Sequence, residues 1–145
     1  MKIRVLIVDD EEAFVQSLSE RLMIRDFHVT TSLNGEDAIR NVKGYNFDVV
    51  ILDVRMPGMD GVEVLKAIKK IKPLSEVIML TGQASVESAI EGMKLGAYDF
   101  LMKPCETEDL VTKISKAYEK KSEHETRIRE AKVNEILSSP RSVFD

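Results

Sequence analysis

From the amino terminus to about Tyr118, short apolar runs alternate with longer segments in which apolar residues return every three or four positions. The runs Ile3 to Val8, Phe27 to Thr31, Phe47 to Leu52, Val77 to Leu80 and Phe100 to Met102 predict five strands. The first, third and fourth are nearly unbroken in apolar character, as strands covered on both faces require. Between and after them, Glu12 to Ile24, Gly35 to Lys43, Gly61 to Ile71, Val86 to Leu95 and Glu108 onward carry helical spacing, for example Leu65, Ile68 and Ile71.

Residues suited to helix amino-termini punctuate the pattern. Asn34, Asp60, Ser85 and Thr107 each stand before a helical segment, and Asp60 with Glu63 has the spacing of a capping box. Strand and helix in alternation, joined by right-handed crossovers, imply an α/β fold. The expected architecture is a doubly wound five-stranded parallel sheet of order 2-1-3-4-5, sandwiched between two helical layers, with an extended C-terminal helix. In this topology ligands bind at the carboxyl ends of the strands, around the switch point between strands one and three.

Beyond Tyr118 the pattern turns charged. Glu123 with Arg127, and Glu125 with Arg129, stand four residues apart in the favourable order, so residues 119–145 read as a charged helical extension of a domain spanning 1–118. A heptad reading through Leu110, Ile114, Ala117, Lys121, His124, Ile128 and Ala131 is too polar for a coiled coil, and a solvated helix is preferred. Ser138, Ser139 and Pro140 are expected to end it.

Length and composition narrow the classes. The 145 residues suit one core with a modest appendage, and 43% hydrophobic residues provide enough apolar surface for a packed domain. The formal net charge is −4, and because the extension holds six basic and six acidic residues, the acidic excess belongs to the domain. That balance lacks the basic excess of a DNA binder, so no direct nucleic-acid partner is expected. The single cysteine, Cys105, has no internal disulfide partner, and the apolar run Val5 to Val8 stops at Asp9 and Asp10 where a signal segment would continue. No run approaches the roughly 20 apolar residues of a membrane span, so a cytoplasmic location is expected.

The acids at the strand ends change the picture most. Strand one ends in Asp9, Asp10, Glu11 and Glu12, strand three in Asp53, strand four in Thr81 and strand five in Lys103 and Pro104. The topology gathers all of them on one edge of the sheet. Like charges about 4 Å apart repel by about 4 kcal/mol per pair at an effective dielectric near 20, so Asp9, Asp10 and Asp53 need positive compensation. Lys103 supplies one unit, and an oxygen-only ligand set open to water suits a hard divalent ion such as Mg²⁺. Taken singly, Asp9 and Asp10 also suit capping of the first helix, and Asp53 a solvated loop. Together with a lysine and a hydroxyl on neighbouring strand ends they read as a site. A carboxylate is a competent nucleophile towards phosphorus, Asp53 is the central one, and the Thr81 hydroxyl is placed to donate to a phosphoryl oxygen.

The stretches Val8-Asp9-Asp10-Glu11, Leu52-Asp53-Val54-Arg55-Met56-Pro57-Gly58-Met59-Asp60-Gly61, Leu80-Thr81-Gly82, Gly96-Ala97-Tyr98-Asp99-Phe100-Leu101 and Lys103-Pro104 resemble the receiver domain of bacterial two-component response regulators. The resemblance covers residues 1–118 and implies the flavodoxin-like sandwich already read from the pattern. It implies a phosphoacceptor signalling protein rather than a turnover enzyme, with Asp53 phosphorylated by a histidine kinase or phosphotransfer partner and slow self-dephosphorylation. It further implies that Asp10, Asp53 and the Arg55 carbonyl bind Mg²⁺, assisted by Asp9, and that Thr81 and Lys103 read the phosphoryl group. Thr81 and Phe100 would act as the switch. Phe100 stands where the family often has tyrosine, and without a hydroxyl its switching would rest on packing alone. The family usually has a cis bond at the Lys103-Pro104 position, and Arg55 and Gln83 lie where members vary.

Other residues read plainly. Cys105 is taken as packing, His28 and His124 lack partner ligands, and Met56, Met59, Met79, Met93 and Met102 share no helical stripe. Tyr98 is an expected surface aromatic. A flavodoxin-type cofactor binder shares the strand order but needs an anion cradle after strand one, where Asp9 to Glu12 would repel a phosphate. A degenerate receiver acting only by interaction is the third reading, opposed by the full set Asp10, Asp53, Thr81 and Lys103. Only 27 residues follow Tyr118, so the output is expected to be an unidentified protein target of a stand-alone receiver, or to lie in a longer regulator. The helical tail motivates a transient, phosphorylation-dependent homodimer through the fifth-helix face.

Overall fold

The computed structural model describes residues 2–82 and 85–138. The elements run β1 (Arg4–Val8), α1 (Glu12–Ile24), β2 (His28–Ser32), α2 (Gly35–Gly44), β3 (Val49–Asp53), α3 (Gly61–Ile71), β4 (Glu76–Thr81), α4 (Val86–Lys94), β5 (Asp99–Met102) and α5 (Thr107–Ser138). All neighbouring strands are parallel, in the order β2-β1-β3-β4-β5. This is the doubly wound sheet the pattern predicts.

Strand alternation explains the unbroken apolar runs. Leu6, Val8, Val50, Leu52, Val77 and Met79 face one core, shared with Ala38 and Val42 of α2 and Val64, Leu65 and Ile68 of α3. The intervening Val5, Ile7, Val49, Ile51, Ile78 and Leu80 face the other, shared with Val15, Leu18 and Leu22 of α1 and Leu110, Ile114 and Ala117 of α5. Because consecutive side chains point to opposite faces and both faces are covered, the interiors of the central strands are wholly apolar, and polar residues stand only at their ends, as Asp53, Glu76 and Thr81 do. Helix α4 packs beside α3, with Gly92 against the side chains of Met79 and Leu65.

The caps divide. Asn34 Oδ1 accepts from the Asp37 N–H at 2.8 Å and Asp60 Oδ1 from the Glu63 N–H at 3.0 Å, as their spacing predicts. Ser85 makes no side-chain cap bond. Thr107 is the first helical residue of α5 rather than its cap, and its Oγ1 instead accepts from Arg21 Nη1 at 3.5 Å. A cap needs both the residue type and an extended backbone ahead of the helix; Ser85, at φ −119 and ψ 16, lacks the second.

The extension needs a correction at Lys121, which the solvated-helix reading left in water. It is buried, its Nζ 3.1 Å from Asp48 Oδ1 and 3.0 Å from Glu125 Oε1. Helix α5 therefore stays packed on the sheet past Tyr118 before it turns fully solvent-exposed along residues 129–138. Ser139 and Pro140 lie outside the described residues. No helix among the described residues is long and apolar enough to cross a membrane.

Candidate functional site

Backbone pairing sets the site. The Asp9 N–H donates to the Ser32 carbonyl, the Val54 N–H to Leu80, and the Lys103 N–H to Thr81 at 2.7 Å, so the residues just beyond β1, β3 and β5 are held in sheet register. The β1/β3 register pairs Val8 with Leu52, which places Asp9 level with Asp53 across the switch point. Asp9, Asp10 and Asp53 each offer a carboxylate oxygen within 4.8 Å of the others, and three such groups can hold a metal ion. Asp9 and Asp53 are buried and Asp10 is exposed, so the cluster has one wet side.

Lys103 supplies the positive charge. Its Nζ lies 2.6 Å from Asp9 Oδ2, 3.4 Å from Glu11 Oε1 and 3.7 Å from Asp53 Oδ1. The Lys103-Pro104 bond is cis. Asp9 Oδ1 also accepts from the Glu11 N–H at 3.0 Å, which forms a turn ahead of α1 rather than a cap on the first N–H groups of that helix, so part of its capacity serves the entry to α1. The two roles coexist because a carboxylate has two oxygens.

Electrostatics separate the acids. Burial, with the Asp9 charge beside it, pushes the Asp53 carboxyl up to about 6, against relief from Lys103 and from the Arg55 N–H. Burial alone would lower the Lys103 ammonium, but its hydrogen bond to Asp9 and the charges of Asp53, Asp9 and Glu11 raise it. One lysine thus leaves an excess of negative charge at Asp53. The donor set is oxygen only, partly wet and short of positive charge, which fits a hard divalent cation better than a softer metal.

Thr81 is fully buried at the end of β4, and its Oγ1 donates to the neighbouring Gly82 carbonyl at 2.9 Å. Phe100 is half-buried against the α2 and α3 core. Tyr98, expected at the surface, is also half-buried, and its ring carries Lys120 Nζ 5.6 Å from the centroid. Met56 and Met79 are core residues. Cys105 is a half-buried free thiol, pushed up by burial, and packs on the α1 and α5 core. His28 and His124 are exposed and stand outside the acidic cluster. Gln83 lies outside the described residues.

Two contacts were not expected from the sequence. Glu11 joins the Lys103 pairing, and Lys103 Nζ also sits 4.4 Å from the centroid of the Phe14 ring. Glu11 was visible as part of an acidic run. Phe14 carried no signal, because its place beside Lys103 depends on how α1 enters against β5.

A family model for the response regulator receiver domain matches residues 5–115. The chain is 38% identical over 116 residues to the transcriptional regulatory protein ZraR of Salmonella typhimurium, covering 80% of this chain and 26% of ZraR. It is 34% identical over 111 residues to the cell cycle response regulator CtrA of Brucella ovis, covering 77% of this chain and 48% of CtrA. The chain therefore spans about a quarter to a half of these relatives. A response regulator receiver domain from Clostridium thermocellum superposes with a TM-score of 0.79 at 35% identity, covering 83% of this chain and 97% of that one. On its matched sequence, its sheet order and its acidic strand ends, the chain belongs to the response regulator receiver domain family.

Proposed function

We propose that this receiver accepts a phosphoryl group on Asp53 from a histidine kinase or phosphotransfer protein, with Mg²⁺, and passes the signal to a protein target in the cytoplasm. The observation that carries the reading is the position of Asp53 at the end of a central strand, between the acids Asp9 and Asp10 and the ammonium of Lys103. An oxygen of Asp53 attacks phosphorus, the phosphorus–nitrogen bond of a phosphohistidine breaks, and the imidazole leaves with a proton from solvent. Water later attacks the acyl phosphate and returns the carboxylate and inorganic phosphate.

Asp10, Asp53 and the Arg55 carbonyl would hold Mg²⁺, with Asp9 assisting. When bound, the ion neutralises the carboxylates and the charge growing on the phosphoryl oxygens. Lys103 pairs with one phosphoryl oxygen, and Thr81 exchanges its bond to Gly82 for one to another. That exchange, with repacking of Phe100, would carry the change to the surface of α4, β5 and α5.

Incubation with a small acyl phosphate donor and Mg²⁺ tests the reading. A hydroxylamine-labile gain of one phosphoryl mass, abolished by a chelator, is expected. An unlabelled protein with the metal present would overturn it.

A further inference from the structure

Three neighbours of the Lys103 ammonium are carboxylates; another is the ring of Phe14, 4.4 Å from Nζ to the centroid. The two kinds of contact act differently. A carboxylate engages an N–H bond of the ammonium directionally, and the buried Asp9, at 2.6 Å, takes the shortest of them. An aromatic face attracts the whole cation through its quadrupole, takes no directed donor, and displaces water from an otherwise strongly hydrated group. An ammonium on such a face is free to turn its donors from Asp9 towards a new anion on Asp53 without losing the contact.

We propose that Phe14 is a positioning residue for phosphoryl transfer, its ring holding the Lys103 ammonium beside Asp53 while the donors of that ammonium are redirected to the incoming phosphoryl group. The inference deepens the functional reading above and rests on it. Phe14 is half-buried and also packs against the core shared by α1 and α5. A packing role would be met by any apolar side chain of the same shape, whereas the positioning role needs a negative ring face.

Replacing Phe14 by mono-, di- and trifluorophenylalanine keeps shape and hydrophobicity while draining that face. The labelling rate with an acyl phosphate donor and Mg²⁺ should fall stepwise with each fluorine, to about three- to tenfold below wild type. Magnesium affinity, measured by calorimetry without donor, should stay unchanged. In the metal-free protein the Lys103 side-chain NMR signals should show a ring-current shift that Phe14→Leu abolishes. A wild type that labels normally while the fluorinated series stays flat, or Lys103 signals without a ring-current shift, would overturn the role of Phe14 and leave the phosphoacceptor reading intact. A wild type that does not label would overturn both.

Discussion

Lys121 Nζ lies 3.1 Å from Asp48 Oδ1, and both side chains are less than one tenth exposed. Asp48 stands just before β3 and Asp53 ends it, so one strand carries a buried acid at each end with opposite surroundings. Burial would raise Asp48, but the Arg4 N–H at 2.8 Å, the Arg4 guanidinium and Lys121 outweigh it and hold its carboxyl below the usual value. Asp53 is raised by burial and then by the neighbouring acids Asp9 and Asp10, which Lys103 and the Arg55 N–H do not outweigh. One end of the sheet is neutralised by the protein and fastens α5; the other is left short of positive charge.

Breaking the fastened end should destabilise the fold. Lys121→Met leaves Asp48 buried with only Arg4, and unfolding in urea at pH 7 should show a loss of about 2 kcal/mol. The pH dependence follows from the lowered carboxyl. The folded value lies below the unfolded 3.8, so this contribution is complete above about pH 4 and is lost as pH falls through the folded value. An Asp48→Asn variant should be less stable at pH 7 and lose less stability than wild type between pH 5 and pH 2.

The crowded end predicts the reverse. With Asp53 near 6 in the fold against 3.8 in the unfolded chain, its ionised form opposes folding; stability from this group falls as pH rises from about 4 to about 6. In chelated buffer at pH 7.5, Asp53→Asn should therefore be more stable than wild type by about 1–3 kcal/mol in denaturant unfolding. Saturating Mg²⁺ should narrow or invert the difference, because it stabilises the wild type preferentially.

Gly61 opens α3 directly under the site. A Cβ there would overlap the Asp53 carbonyl oxygen and come within 2.7 Å of the Val54 Cα, both backbone atoms that cannot swing aside. Gly61→Ala should cost about 1–3 kcal/mol by thermal unfolding and slow labelling of Asp53. Gly44, at the end of α2 with nothing within 4 Å, is the contrast: Gly44→Ala should be neutral or stabilise by up to about 1 kcal/mol.

The caps give a paired test. Asn34→Ala removes a bond to the Asp37 N–H and should cost about 1 kcal/mol, whereas Ser85→Ala removes no cap bond and should stay within about 0.5 kcal/mol. Equal losses in chemical denaturation would contradict the difference in local geometry.

These residues show what a linear pattern records. The core was legible because burial on both sheet faces demands unbroken apolar runs, and the acidic edge because parallel topology brings all carboxyl ends together. Strand limits shifted by a residue or two, and at β4 the reason is a buried acid: Glu76 begins the strand, yet no apolar periodicity includes a glutamate. Lys121 was misplaced for a related reason, since its burial depends on the distant Asp48 as well as on Glu125 within its own helix. Phe14 and Glu11 at Lys103 depend on packing between elements some 90 residues apart in the chain, which spacing within one element does not encode.

The proposed acceptor of the phosphoryl group is Asp53 itself. Borohydride reduces an aspartyl phosphate to homoserine, leaving a permanent mark at the acceptor. After treatment with an acyl phosphate donor and Mg²⁺, reduction and peptide sequencing by tandem mass spectrometry should find homoserine at position 53, and none in protein kept from the donor. Homoserine at Asp9, Asp10 or another acid, with Asp53 unchanged, would contradict the account.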